Sequence, residues 1–132
     1  ALSNKTEAAH LNMISTSAGN TGGQFEETET KKNNIFKQSC LGFSIDDFVK
    51  FYKIPIPNYI KIDVDGIEIL ILQGASSLLK NKALKSLILE ADITTQEYKD
   101  ITALLVTFGF KEQDSEPTVK GRDHMRNLVF AR

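Results

Sequence analysis

Residues 59–68 read Tyr-Ile-Lys-Ile-Asp-Val-Asp-Gly-Ile-Glu. The short apolar run predicts a buried strand over 58–64, set up by Pro55 and Pro57, which stop an upstream helix. It ends in two carboxylates, Asp63 and Asp65, and breaks at Gly66 into an apolar helical stretch. In an open α/β sheet, ligands bind outside the carboxyl ends of the strands. A carboxylate beside a core strand is costly to desolvate, so it implies a partner: a metal, a cation, a proton or a polar substrate. The pattern puts chemistry at Asp63.

Outward from this stretch, the spacing predicts alternating elements. Ser44, with Asp47 three positions on, resembles a capping box, and Ile45, Phe48, Val49 and Tyr52 follow at helical spacing. After Gly66, a helix carries Ile67, Leu70, Ile71 and Leu72, with Gly74 as a break and 76–80 as a further turn. Lys85-Ser-Leu-Ile-Leu-Glu-Ala predicts a second buried strand that again ends in acids, Glu90 and Asp92. Thr94 or Thr95 then caps a helix whose Tyr98, Ile101, Leu105 and Phe108 share a face, with Gly109 as its stop. Residues 110–115 and 125–131 predict the last strands, joined by a loop holding Pro117 and Gly121. The order from residue 58 is β-α-β-α-β-β, an α/β pattern in which helical crossovers make the first strands parallel and a short link makes the last one antiparallel.

Upstream, strands are expected over 8–14 and 35–42, forming a hairpin region around a long polar loop from 15 to 34. Within that loop, Gly19-Asn-Thr-Gly-Gly resembles a phosphate loop. The acidic, non-amphipathic residues after it argue for a turn instead. Residues 1–42 as a hairpin and loop region and 43–132 as the α/β part make up a single domain or domain fragment.

Composition narrows the function classes. The chain has 132 residues, 41% of them hydrophobic and 25% charged, with a net charge of -1. That balance gives no bulk drive toward nucleic acid or anionic membrane. No apolar run approaches the roughly 18 residues of a membrane span. One cysteine, Cys40, excludes an internal disulfide and a cysteine-based zinc site, fits a cytoplasmic location, and reads as a buried structural thiol.

Three side-chain groups can carry chemistry. Asp63, Asp65 and Glu68 can hold a divalent cation or accept a hydroxyl proton, or Asp65 and Glu68 can simply complement a helix start. Glu90 with Asp92 adds acids to the same mouth if the two strands are neighbours; alternatively Asp92 is a solvated loop-start acid. His124, Arg126 and Asn127, near the start of the last strand, offer a base or substrate contacts, or are ordinary surface residues. His10 stands alone in the first strand.

Haloacid-dehalogenase-type phosphatases share the Asp-x-Asp-Gly strand end, but over four residues only, with Ile67 where they carry Thr. Manganese-binding glycosyltransferases use Asp-x-Asp after nucleotide-binding strands absent here. A longer likeness runs through Phe43-Ser-Ile-Asp-Asp-Phe-Val, Ile60-Lys-Ile-Asp-Val-Asp-Gly-Ile-Glu, Leu72-Gln-Gly-Ala, Leu87-Ile-Leu-Glu, Phe108-Gly-Phe and Asn127-Leu-Val-Phe. In that order these segments resemble the FkbM methyltransferases over about residues 35–131; Asp65 stands where that family more often has Glu.

The resemblance implies a Rossmann-like sheet and S-adenosylmethionine-dependent O-methylation of a small-molecule or sugar hydroxyl. Asp63 would face donor and acceptor, Asp65 and Glu68 would assist, and Glu90, His124 and Asn127 would contact substrate; no metal ligand is assigned. The family's glycine-rich turn and ribose-binding acid do not occur, so the chain matches the C-terminal part of the domain and weak or absent donor binding is expected. The alternatives are a non-catalytic binding or assembly module, or a phosphohydrolase using Asp63. An unpaired sheet edge would favour a homo-oligomer.

Overall fold

The computed structural model describes residues 1–18, 24–26, 35–64, 66–118 and 121–132. Asp65 and the Gly19–Gly23 turn lie outside the described residues. A small antiparallel sheet comes first, with β1 (Glu7–Met13) between β2 (Gln24–Glu26) and β3 (Phe36–Gly42). The expected hairpin is β1 with β3, in register from Glu7↔Gly42 to Met13↔Phe36. β2 falls in the stretch read as loop; Phe25 is buried there, its ring so close to Gly42 that a Cβ at that position would collide with it. Cys40 is half-buried rather than buried.

The larger unit runs α1 (Ile45–Tyr52), β4 (Tyr59–Ile62), α2 (Glu68–Gln73), α3 (Ser76–Lys80), β5 (Ser86–Asp92), α4 (Gln96–Thr107), β6 (Lys111–Pro117) and β7 (Met125–Ala131). Its sheet has the order β4-β5-β7-β6, with β4 and β5 parallel and both other pairings antiparallel. The α/β order expected from residue 58 onward is present. The helical stretch after Gly66 is two short helices, and β4 ends at Ile62 rather than Val64.

Period-two alternation sorts the sheet into a packed and an open face. Ile62, Leu87, Leu89, Leu128 and Phe130 are buried against Ile71, Leu72, Leu78, Leu79, Ile101 and Leu105 of the helices. The intervening Tyr59 and Ile88 are exposed, at 73% and 36%. Among the described residues, helices cover only the first face.

The Ser44-Ile-Asp-Asp start of α1 acts as a structural clasp. Ser44 Oγ accepts from the Asp47 N–H at 3.1 Å, an N-cap. The expected box closes through a third residue. Thr6 Oγ1 accepts from the Ser44 N–H at 3.2 Å and donates to Asp47 Oδ2 at 2.5 Å. These hydroxyl contacts hold the Asp47 carboxyl below its ordinary value of 3.8. Asp46 caps a different helix, accepting from the Ser77 and Leu78 N–H groups at 2.7 and 3.0 Å. Gly74, between α2 and α3, sits so near the Ser3 carbonyl that any Cβ would collide with it.

At the other end, Arg132 stacks over the Phe110 ring at 4.2 Å and donates to the carbonyls of Leu79, Asn81, Leu84 and Phe108. It gathers the C-terminal ends of α3 and α4, where partial negative charge collects.

Asp46→Ala removes the cap of α3 and is expected to cost about 1 to 2 kcal/mol in urea unfolding, with Asp46→Asn retaining most of it. Equal loss for both variants would contradict a capping role.

Candidate active site

The parallel register Ile62↔Leu89 sets the residue after each strand pair on the same face and level, so Asp63 lies beside Glu90. Both line a crevice of about 310 Å³ at the carboxyl ends of β4 and β5. Glu68, Asp92 and Glu97 complete its acidic wall, while Val64, Ala91 and Met125 add apolar surface. The crevice stands at the lower end of the size range of small-molecule sites. Gly66 turns the chain from β4 into α2 with φ 97°, a left-handed conformation that side-chain-bearing residues rarely adopt. That turn lets Asp63 and Glu68 face one space.

Each acid has a distinct setting. Asp63 pairs with Lys61 on the same strand face at 2.6 Å, both side chains more than half exposed. That hydrogen bond, the charge of Asp63 and, more weakly, that of Glu90 raise the Lys61 ammonium above its ordinary value. Lys61 therefore serves as the local counter-charge. Glu68 is only 5% exposed, with Oε1 at 3.4 Å from the Gly66 N–H. Glu97 Oε1 is shielded from solvent without a hydrogen-bond partner. Asp92 accepts from the Thr94 hydroxyl and N–H at 2.6 and 2.9 Å; these contacts, aided by His124, hold its carboxyl below 3.8. It is a turn-forming acid at the rim.

The other sequence candidates part company here. Asn127 sits opposite Glu90 in the β5–β7 ladder but lines a separate hollow of about 330 Å³ on the open face, with Lys61, Ile88 and Asp114. His124 is exposed in the turn before β7, its carbonyl accepting from Ile93 at 2.9 Å. Arg126 is occupied with Ser115, through Nε to Oγ at 2.9 Å and a terminal nitrogen to the carbonyl at 2.6 Å. Asp65 lies outside the described residues. Glu97 is the residue the sequence reading passed over. Its signal was its place in the first turn of α4, just past the acid-ended strand β5, with Thr95 as the cap.

An acid wall with an orphaned carboxylate oxygen suits hydroxyl donors and cations. It attracts a sulfonium and accepts hydrogen bonds from sugar or ribose hydroxyls. Among the described residues that line it there is no cation, and Lys61 stands beside it, paired with Asp63. Among the described residues, no cluster of three or more His, Cys, Asp or Glu could hold a metal ion, and no helix is long and apolar enough to cross a membrane.

Two comparisons returned nothing: neither a curated protein nor a solved structure matches the chain. The family model of the methyltransferase FkbM domain matches residues 3–113. The match takes in the small antiparallel sheet and stops before β7.

The Thr94 contacts give a pH prediction. Asp92 is lowered in the folded state, so its contribution is present above 3.8 and lost as pH falls through the folded value. Thr94→Val is expected to raise the Asp92 value toward 3.8 in a carboxyl-carbon NMR titration. An unchanged titration curve would contradict the assignment.

Proposed function

Because the chain belongs to the FkbM methyltransferase family, we propose that its acidic crevice takes part in S-adenosylmethionine-dependent methylation of a hydroxyl on a small molecule or sugar. The observation carrying this is the shared opening of Asp63 and Glu90 at the ends of adjacent parallel strands. The sheet order β4-β5-β7-β6, with an antiparallel β7, is read as the C-terminal half of a Rossmann-like sheet.

The donor, when bound, supplies an electrophilic methyl group to the acceptor oxygen. The residues of this chain do the rest. Asp63 accepts the hydrogen bond of the acceptor hydroxyl and takes its proton as the oxygen attacks. Glu90 accepts from a neighbouring hydroxyl and fixes the acceptor's rotation, which shortens the search for an in-line approach. Lys61 donates to Asp63 at 2.6 Å and orients its carboxylate. Glu68 holds the Gly66 turn against the crevice, and Asp65 is proposed to assist there. Anionic acceptors are disfavoured by the acid wall.

Donor contacts drawn only from β4 and β5 leave the amino-acid carboxylate of the donor without a cradle. These 132 residues are accordingly proposed to bind S-adenosylmethionine with a Kd of about 1 mM or weaker, worth roughly 4 kcal/mol. Isothermal titration showing micromolar binding would contradict that. In the polypeptide that carries these residues, Asp63→Asn should lower kcat for labelled methyl transfer to polyols by about 10²- to 10⁴-fold. Full activity in that variant would remove Asp63 from the chemistry.

A further inference from the structure

Every described residue lining the crevice lies between Asp63 and Met125, from the end of β4 to the start of β7. Five of them carry carboxylates and none carries a cation, so the donors already given to each acid decide what the crevice still lacks. Asp63 Oδ2 accepts from the Lys61 ammonium at 2.6 Å, and Glu68 Oε1 from the Gly66 N–H at 3.4 Å. Asp92 Oδ1 accepts from the Thr94 hydroxyl and N–H. Glu97 differs. Its Oε1 is shielded from solvent and has no hydrogen-bond partner. The start of α4 does not claim it either. The Thr95 N–H donates to the Asp92 carbonyl at 3.1 Å and the Tyr98 N–H to Thr95 Oγ1 at 3.3 Å, so the cap is served without Glu97. Lys61 is held by Asp63 and Arg126 by Ser115.

A carboxylate oxygen withdrawn from water without a donor is costly, and a ligand that supplies the donor recovers that cost. A neutral hydroxyl brings one hydrogen bond and leaves the charge in place. An ammonium brings three donors and the opposite charge together, and the neighbouring carboxylates add to its attraction. Resting on the reading of the crevice as a methyl-transfer site, we propose that Glu97 selects the acceptor by taking the ammonium of an amine-bearing sugar or polyol whose hydroxyl faces Asp63. The acceptor class narrows from hydroxyl compounds in general to those that also carry a protonated amine. Val64, Ala91 and Met125 offer the carbon skeleton apolar surface. Glu97 sets specificity and takes no part in bond making.

Amide NMR titrations of the 132-residue chain with glucosamine, glucose and N-acetylglucosamine, at a pH of about 6 where the amine is charged, separate charge from shape. Glucosamine is expected to bind about tenfold tighter than either neutral sugar, with shifts at Glu90, Thr95 and Glu97. Added salt should narrow that difference. Glu97→Gln, neutral and of the same shape, should bring the three sugars to one Kd while leaving that of glucose unchanged. Glu97→Asp keeps the charge and should keep part of the preference. Circular dichroism establishes that each variant is folded. No methyl donor enters these titrations, so their result is distinct from that of methyl transfer. Sugars bound alike leave transfer to a neutral acceptor standing, and a preserved preference without transfer counts against the chemistry alone. Equal binding of the three sugars, no binding of glucosamine, a preference that survives Glu97→Gln, or a variant that loses only S-adenosylmethionine affinity would each overturn the proposal.

Discussion

The parallel pairing of β4 with β5 is the constraint on which the rest depends. A parallel ladder needs a crossover, and α2 with α3 provide it on one face, burying Ile71, Leu72, Leu78 and Leu79 against Ile62, Leu87 and Leu89. Because the strands run the same way, their carboxyl ends arrive at the same edge. Asp63 follows β4, and Glu90 stands in β5 one position past its last pairing with β4, so the two meet without either having to bend toward the other. An antiparallel arrangement of the same segments would have sent those acids to opposite edges.

The acids divide between those that hold backbone and hydroxyl groups and those that face the crevice. Asp46, Asp47 and Asp92 spend their oxygens on backbone N–H groups and threonine hydroxyls, fixing a helix start, a docked N-terminal segment and a turn. Asp63, Glu90 and Glu97 face the crevice. Lys61 is the nearby cation, and it sits beside the acids on the strand rather than across the crevice from them. The open mouth therefore keeps net negative character, which suits ligands that donate hydrogen bonds or carry positive charge.

Much of this was legible in the sequence. Apolar runs that end in acids and break into helical spacing identify β4 and β5, and their order identifies the crossover. Ser44 and Thr95 were legible as caps because capping uses few residue types. What the sequence hid has physical reasons. β2 is three residues long in a polar stretch and owes its pairing to β1, with Phe25 packed over Gly42. The packing of the Ser3 carbonyl on Gly74, at the break that the spacing does mark, is a contact between distant parts of the chain. The Thr6–Asp47 link spans 41 positions and leaves no local pattern. Asn127 fell outside the crevice although it shares a face with its ladder partner Glu90, because it lies one strand further from β4 and lines the open-face hollow, and the order of β7 beside β5 cannot be read from spacing alone.

The most direct measurement is a backbone-amide NMR titration of the chain with S-adenosylmethionine, followed by a polyol acceptor, in the fast-exchange regime that weak binding allows. The account predicts shifts gathered at Asp63, Gly66, Glu90 and Thr95. Shifts gathered instead on the open face around Ile88 and Asn127 would contradict a shared acidic site at the ends of β4 and β5.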